Sequence, residues 1–435
     1  MAALDTSIAT RLPNEMIEYI AKNLSSPKDI LALRTVCKAW ANEGERQLYT
    51  RRWINISQPE KTWLVNHTLL KKHPLVHVIR SLVLDQNLGW GLTLELNTLI
   101  AVVLDLPNLV SIEISAMVVW ETDTSAKVSP TVAQSMSNKL RRLVVQGISP
   151  ANNSGAFQPF QILQLSKSWK RVEFGEISRP ALTDGVAEIP EMPAVEVEKL
   201  RLIGSDSSEA PIWDRPGGDT GARYLPQITG LKTFKVAVFN VTDVDAVRRT
   251  TIANAGTLEV LSLSVPFYVE TQRLEIDFVR QATSLQYFAL RIPLFGEHWL
   301  IDTDNFDQQK WTNFLTTVAF RLPPRLEVIV LYFDFRHKKD ETASSAHARM
   351  QSHLKFSWKE LGYALALCHN LRAVKLAICC DEGCESQAWP HAIADQLEDI
   401  FVAFPRFIRS GHIICMYKSK EDRDELRLHR QMATP

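Results

Sequence analysis

Apolar residues follow two rhythms along this chain, and the first is helical. Behind Leu12 and Pro13, the residues Met16, Ile17, Ile20 and Leu24 recur at a spacing of three to four, with Glu15 and Glu18 early, where carboxylates suit the positive end of a helix. This predicts a helix from Asn14 to Leu24. Ser26 offers an N-cap oxygen, Pro27 sits where its missing N–H costs nothing, and Asp29 charges the first turn, so a second helix carries Ile30, Leu31 and Leu33. A third, from Thr35 to Gly44, holds Val36, Cys37 and Trp40, and a further stretch reaches Leu48 and Tyr49. Roughly 40 residues is the lower limit of independent stability, so helices this short leave apolar surface for a partner or a following domain.

From residue 79 the rhythm changes to a phrase, apolar-x-x-apolar-x-apolar, that begins at Ile79, Leu109, Leu140, Trp169, Val197, Leu231, Leu258, Leu285, Leu326 and Leu371. The starts are 27 to 34 residues apart as far as Leu285, then 41 and 45, a leucine-rich-repeat period with late insertions. Two copies extend to the polar position that caps backbone groups at the bend, at Asn87 and Cys379; the other eight do not. Helical patterns lie between phrases at Trp63 to Lys72, Leu94 to Leu104, Asp243 to Asn254, Asp307 to Arg321 and Ala392 to Phe404, several stopped by Pro107, Pro323, Pro324 or Pro405. One strand and one helix per unit predict a curved solenoid, with parallel strands on the concave face and helices outside. Stretches 120–131, 150–159 and 204–223 read as loops.

Composition adds exclusions. With 46% hydrophobic and 23% charged residues the chain is neither disordered nor collagen-like. Forty-nine Lys plus Arg balance 49 Asp plus Glu, so net charge argues for neither nucleic acid nor membrane as a partner. Six Cys, five of them after position 367 and none in a CxxC pair, make no disulfide framework and predict a reducing compartment. The first twenty residues resemble no secretory or transit signal, and no run approaches 18 apolar residues. The chain is therefore expected to be uncleaved and soluble, and the sequons at Asn55 and Asn240 carry little weight.

Catalytic and metal signals are weak. Arg215-Pro-Gly-Gly-Asp-Thr-Gly lacks the Lys-Ser or Lys-Thr of a phosphate cradle, and no strand leads into a helix there. Cys379, Cys380 and Cys384 with His369 and His391 lack the paired knuckle of a zinc site; His73 with His77 and His347 with His353 lack a carboxylate or thiol partner. No nucleophile has an evident activator, so neither enzyme activity, cofactor nor metal is expected. Period-two alternation turns Arg142, Arg171, Lys199, Arg201, Lys235 and Lys375 to the concave face, a stripe suited to an acidic or phosphorylated peptide. Glu113 and Glu173 interrupt it, and a hydrated face without a ligand is the alternative.

The opening pattern, Leu12-Pro13-x-Glu15-x-Ile17-x-x-Ile20-x-x-x-Leu24, then Asp29-Ile30-Leu31-x-Leu33-Arg34-x-Val36-Cys37-Lys38-x-Trp40, then Leu48-Tyr49, resembles an F-box. With the degenerate repeats behind it, the chain resembles F-box proteins with leucine-rich repeats, of the fungal type. The resemblance implies an α/β chain with a tail at 1–11, an F-box at 12–52, an irregular leucine-rich-repeat solenoid at 53–417 and a charged tail at 418–435. It implies a substrate-recognition subunit of an SCF-type ubiquitin ligase, which binds the Skp adaptor, and through it a cullin–RING ligase, and captures a protein substrate on the repeats. Leu12, Pro13, Ile17, Ile20, Leu31, Val36 and Trp40 would then bind the adaptor or support the residues that do. An unrelated helical cap with these residues as core, and a non-catalytic scaffold that binds the adaptor outside an active ligase, are the alternatives.

Overall fold

The computed structural model describes residues 12–24, 27–33, 35–55, 76–85, 93–121, 128–150, 159–175, 193–203, 227–237, 241–264, 276–293, 308–335, 358–380, 402 and 413–418. Outside them lie Asn87, Cys384, His73, His347, His353 and His391, the expected helices at 63–72 and, save residue 402, at 392–404, the loop at 204–223 and the tail beyond 418. The fold is mixed α/β, with helices at the N-terminus and parallel sheet behind them. It divides into two compact units: Met1–Val197 with Ala222–Pro226, and Glu198–Gly221 with Gln227–Pro435.

The first unit opens with α1 (Asn14–Asn23), α2 (Pro27–Leu33) and α3 (Lys38–Thr50). Both α1 and α2 pack on α3. The third helix starts later than its apolar spacing suggests and runs unbroken to Thr50. Thr35 hydrogen-bonds the Ala32 carbonyl through both its N–H and its hydroxyl (2.7 Å), and Val36 N–H bonds that of Leu33, which makes 35–36 a turn. Ala41 N–H then bonds the Cys37 carbonyl, opening the helix.

No linker follows. The strand β1 (Arg51–Asn55) leaves the end of α3 and pairs in parallel with β2 (Ser81–Asp85), Arg51 opposite Ser81, while α3 also touches the 3₁₀ turn Val76–Val78. With β3 (Thr93–Glu95), β4 (Ser111–Glu121), β5 (Arg142–Pro150) and β7 (Arg171–Gly175), the order is β1-β2-β4-β5-β7, and β3 adds to the far half of β4. β4 extends through residues 120–121, expected to be loop, and resumes pairing with β5 beyond an irregularity between Ser115 and Val118. The connections hold α4 (Leu96–Asp105), α5 (Pro130–Ser137) and a 3₁₀ helix, Pro159–Leu165. A short pair, β6 (Ser168–Trp169) with β8 (Val195–Val197), closes the unit.

In the second unit β9 (Lys199–Ile203), β11 (Thr233–Ala237), β12 (Val260–Ser264), β13 (Tyr287–Pro293), β14 (Val328–Phe335), β15 (Ala373–Cys380) and β16 (Ile413–Lys418) pair in parallel in that order, with β10 (Ile228–Thr229) ahead of β11. Between them come α6 (Val241–Ala253), a 3₁₀ helix Asp277–Gln281, α7 (Gln308–Phe320) and α8 (Trp358–Ala366), the last two packed together. No helix among the described residues is long and apolar enough to cross a membrane.

Each of the ten phrases supplies one strand, and its apolar positions become the core. All ten opening residues, from Ile79 to Leu371, are at most 2% exposed. Across the second unit Leu200, Phe234, Leu261, Phe288, Ile329 and Val374 stand side by side, as do Leu202, Val236, Leu263, Leu290, Leu331 and Leu376. This is the face the helical segments cover: Trp358 of α8 meets Phe333 edge-on at 6.0 Å, and in the first unit Phe160 meets Phe174 likewise at 4.8 Å. Burying each such side chain stabilises the fold by roughly 1.5–3 kcal/mol. Polar residues lock neighbouring copies at the bends. Asn108 donates to the His77 carbonyl, Ser284 to that of Gly256 and Asn370 to that of Pro324, each reaching the carbonyl two residues before the preceding phrase. Asn254, 3% exposed, accepts from Leu231 N–H and donates to the Ile228 and Thr250 carbonyls, holding the end of α6 to a bend where Gly230 takes φ 70°, a conformation that favours glycine.

Candidate adaptor-docking site

Three short helices close their own small core and leave much of their apolar surface outside it. Ile17 and Ala21 of α1, Ile30 of α2 and Trp40 of α3 are buried. An ionic staple ties the first helix to the third: Glu18 pairs with Lys22 at 2.5 Å and with Arg46 at 2.8 Å, Arg46 bonds Glu43 in two-pronged fashion at 2.8 and 3.0 Å, and Gln47 donates to Glu43. The hydrogen bond from Lys22, followed by that from Arg46, holds the Glu18 carboxyl below the usual carboxylate range, and Glu43 pushes the Arg46 guanidinium above its ordinary value.

The seven residues named from the sequence divide accordingly. Ile17 (3% exposed) and Trp40 (6%) are internal, Leu12 and Ile20 are half-buried, and Pro13, Leu31 (46%) and Val36 (45%) face outward. Met16 and Tyr19, which the pattern placed on a core-facing stripe or passed over, are 50% and 70% exposed. Of the ten large apolar side chains exposed among the described residues, four lie between positions 16 and 36, a density that marks a surface made to be covered. Leu31 and Val36 flank the α2–α3 turn, so that turn presents them.

On the sheet face away from the helices, the six basic residues are not one stripe. Arg142 and Arg171 are cross-strand neighbours in the first unit, and each is engaged in that face: Arg142 lies 3.7 Å from Glu113, and Arg171 is hydrogen-bonded to Glu173. The acids that interrupt the pattern thus pair with it. In the second unit Arg201 stands opposite Lys235 and Lys199 opposite Thr233, while Lys375 lies opposite Val330, with three strands between it and the strand of Lys235. Lys199 is exposed and Arg201 half-buried, but Lys235 and Lys375 are buried, and burial lowers the Lys375 amine from its ordinary value. Beside Lys375 the same face is apolar: Ala289, Val330, Tyr332 and Ala377 form a buried cluster joined by Tyr287 and Val328. Cys379 and Cys380 are the last two residues of β15, opposite Asp334 and Phe335, and His369 precedes that strand in an exposed turn.

The architecture is that of a three-helix module joined without a spacer to parallel α/β sheet. Its helical part is similar to the F-box-like family, whose model matches residues 9–55, the segment that holds α1 to α3 and β1. The chain therefore carries an F-box-like domain, which supports an F-box protein. No curated protein matches the chain significantly.

Proposed function

We propose that this protein is the substrate-recognition subunit of an SCF-type ubiquitin ligase. Its F-box-like domain holds the Skp adaptor, and its strand-and-helix repeats, a leucine-rich solenoid in this reading, hold a protein substrate. The observation that carries the reading is the outward set Pro13, Leu31 and Val36, with Met16 and Tyr19, on a domain whose core is already filled by Ile17, Ala21, Ile30 and Trp40. The chain performs no bond chemistry here; it raises the effective concentration of substrate lysines near a ubiquitin-charged enzyme in the cytoplasm or nucleus.

The test is co-purification with the adaptor and a neddylated cullin. Leu31→Asp with Val36→Asp is expected to abolish adaptor capture, because a charge placed in an apolar contact lacks a partner. The melting temperature should move much less than for a core substitution, because Leu31 and Val36 are 46% and 45% exposed. Full adaptor capture by the double variant would remove the assignment. Adaptor capture with cullin persistently absent would instead favour a scaffold outside an active ligase.

A further inference from the structure

In each unit the residues immediately after the opening apolar position of each phrase form a row along the end of the strands where they begin. In the second unit it reads Glu198, Lys232, Glu259, Gln286, Glu327 and Arg372, and neighbours offset one another: Lys232 lies 3.9 Å from Glu198, and Arg372 3.6 Å from Glu327. In the first unit the row reads Arg80, Val110, Arg141 and Lys170. Its register is fixed by the backbone. The Arg80 carbonyl accepts from Val110 and Ser111, that of Val110 from Arg141 and Arg142, and that of Arg141 from Lys170 and Arg171. Strands roughly 4.8 Å apart set Arg80 and Lys170 on the order of 14 Å apart, with Arg141 between them.

Arg80 and Lys170 are exposed and Arg141 is half-exposed; Lys139 and Lys167 stand in the turns leading to the same strands. None of these five pairs with a carboxylate among the described residues, whereas Arg142 and Arg171, one position further on, are held by Glu113 and Glu173. Glu196, in β8 beside Ser168, borders the row. Successive cations of the row lie roughly 5–10 Å apart, within about one Debye length at 0.1 M salt, so they repel one another and a bound anion would relieve that repulsion. A single-stranded nucleic acid would call for aromatic platforms, but the nearby Trp169 is buried with its indole N–H on the Leu163 carbonyl. A bilayer would call for exposed apolar anchors, and among the described residues of this unit the large exposed apolar side chains lie on α1, α2, the α2–α3 turn and α4.

We infer that the row Arg80, Arg141 and Lys170, flanked by Lys139 and Lys167, receives an acidic segment of the protein substrate, laid across the strands with its carboxylates or phosphates against the cations. The inference rests on the substrate-receptor reading and specifies the class of substrate.

The test is fluorescence anisotropy on the full-length chain with four probes: a polyglutamate peptide, a neutral peptide carrying phosphoserines, a single-stranded RNA and phosphatidylserine vesicles. One or both acidic peptides should bind, more weakly as salt rises, and the preference between them identifies the anionic group. Arg141→Glu with Lys170→Glu should lower that affinity at least ~10-fold. Lys232→Glu with Arg372→Glu, in the neutralised row, should leave it within about twofold. Thermal melts show whether each variant is folded. No binding of either peptide, an equal loss in both variants, or binding of RNA or vesicles in place of the peptides would overturn the inference. Adaptor capture is measured on the same samples and should be unchanged throughout, so failure here is separable from failure of the docking reading.

Discussion

Trp40 and Leu31 show how two apolar residues nine positions apart differ in kind. Trp40 fills the small core under α1 and α2, so Trp40→Ala is expected to destabilise the helical domain by about 3–5 kcal/mol and to lose adaptor binding only because the domain melts. Leu31→Asp should lose binding with a much smaller change in the melt; urea denaturation beside a pull-down separates the two cases. Asn254 is the counterpart in the sheet. Its side chain satisfies one buried N–H and two carbonyls, so Asn254→Ala strands polar groups that water cannot reach and should cost about 2–4 kcal/mol, read from the shift in urea midpoint. Neither Asn254 nor Gly230 falls within the repeated phrase, which is why apolar spacing passes over them.

Among elements, α1 is held to α3 by charge as well as by packing, and this gives it a pH dependence of its own. Glu18 titrates below its ordinary value of 4.5 when folded, so its contribution is present in full above about that pH and is lost as pH falls through the lower folded value. Amide exchange in α1 should accelerate relative to α2 as pH drops from 6 to 3, after correction for intrinsic exchange rates. In Glu18→Gln the ratio should stay flat across that range; an unchanged pH dependence in that variant would place its origin elsewhere. β1 is a second element with a role beyond its length. Three helices were legible from their apolar spacing and caps, but the five residues after them pass for the end of a domain until β2 is seen beside them. Pairing between residues thirty positions apart has no local signature.

For the whole molecule, the join between helices and sheet sets where the chain can be cut. A chain starting at Arg51 keeps β1 over the edge of β2 and should remain soluble while losing adaptor capture. One starting at Ser57 bares that edge as a template for intermolecular pairing and should aggregate, a contrast measurable by light scattering. Were both equally soluble, β1 would not be protecting the sheet. The charge rows are likewise visible only at this scale: Arg80 and Arg141 are 61 residues apart in the chain, Arg141 and Lys170 29, and they become one surface only when the strands stack. A net charge of +0 hides them, because the acids that balance the total are distributed elsewhere.

The linear pattern by itself determined the number of the opening helices, the place of α1 and the start of α2, and one strand for each of the ten phrases, because a period near 3.6 or of two is a property of consecutive residues and needs no distant partner; it missed the bounds of α3. It also put the phrase leucines inside, since an element so patterned can bury only one face. Only the tertiary structure decided which apolar residues of the helical module remain uncovered. In helices of seven to thirteen residues almost every apolar position lies near some neighbour, and α3 alone chooses Ile17 over Met16. The same holds on the sheet. Arg142 and Arg171 are spoken for, Lys235 and Lys375 are buried, and Arg80 and Lys170, exposed, and Arg141, half-exposed, have no carboxylate partner among the described residues, because cross-strand register, which chain spacing does not encode, sets each cation beside an acid, an apolar cluster or water.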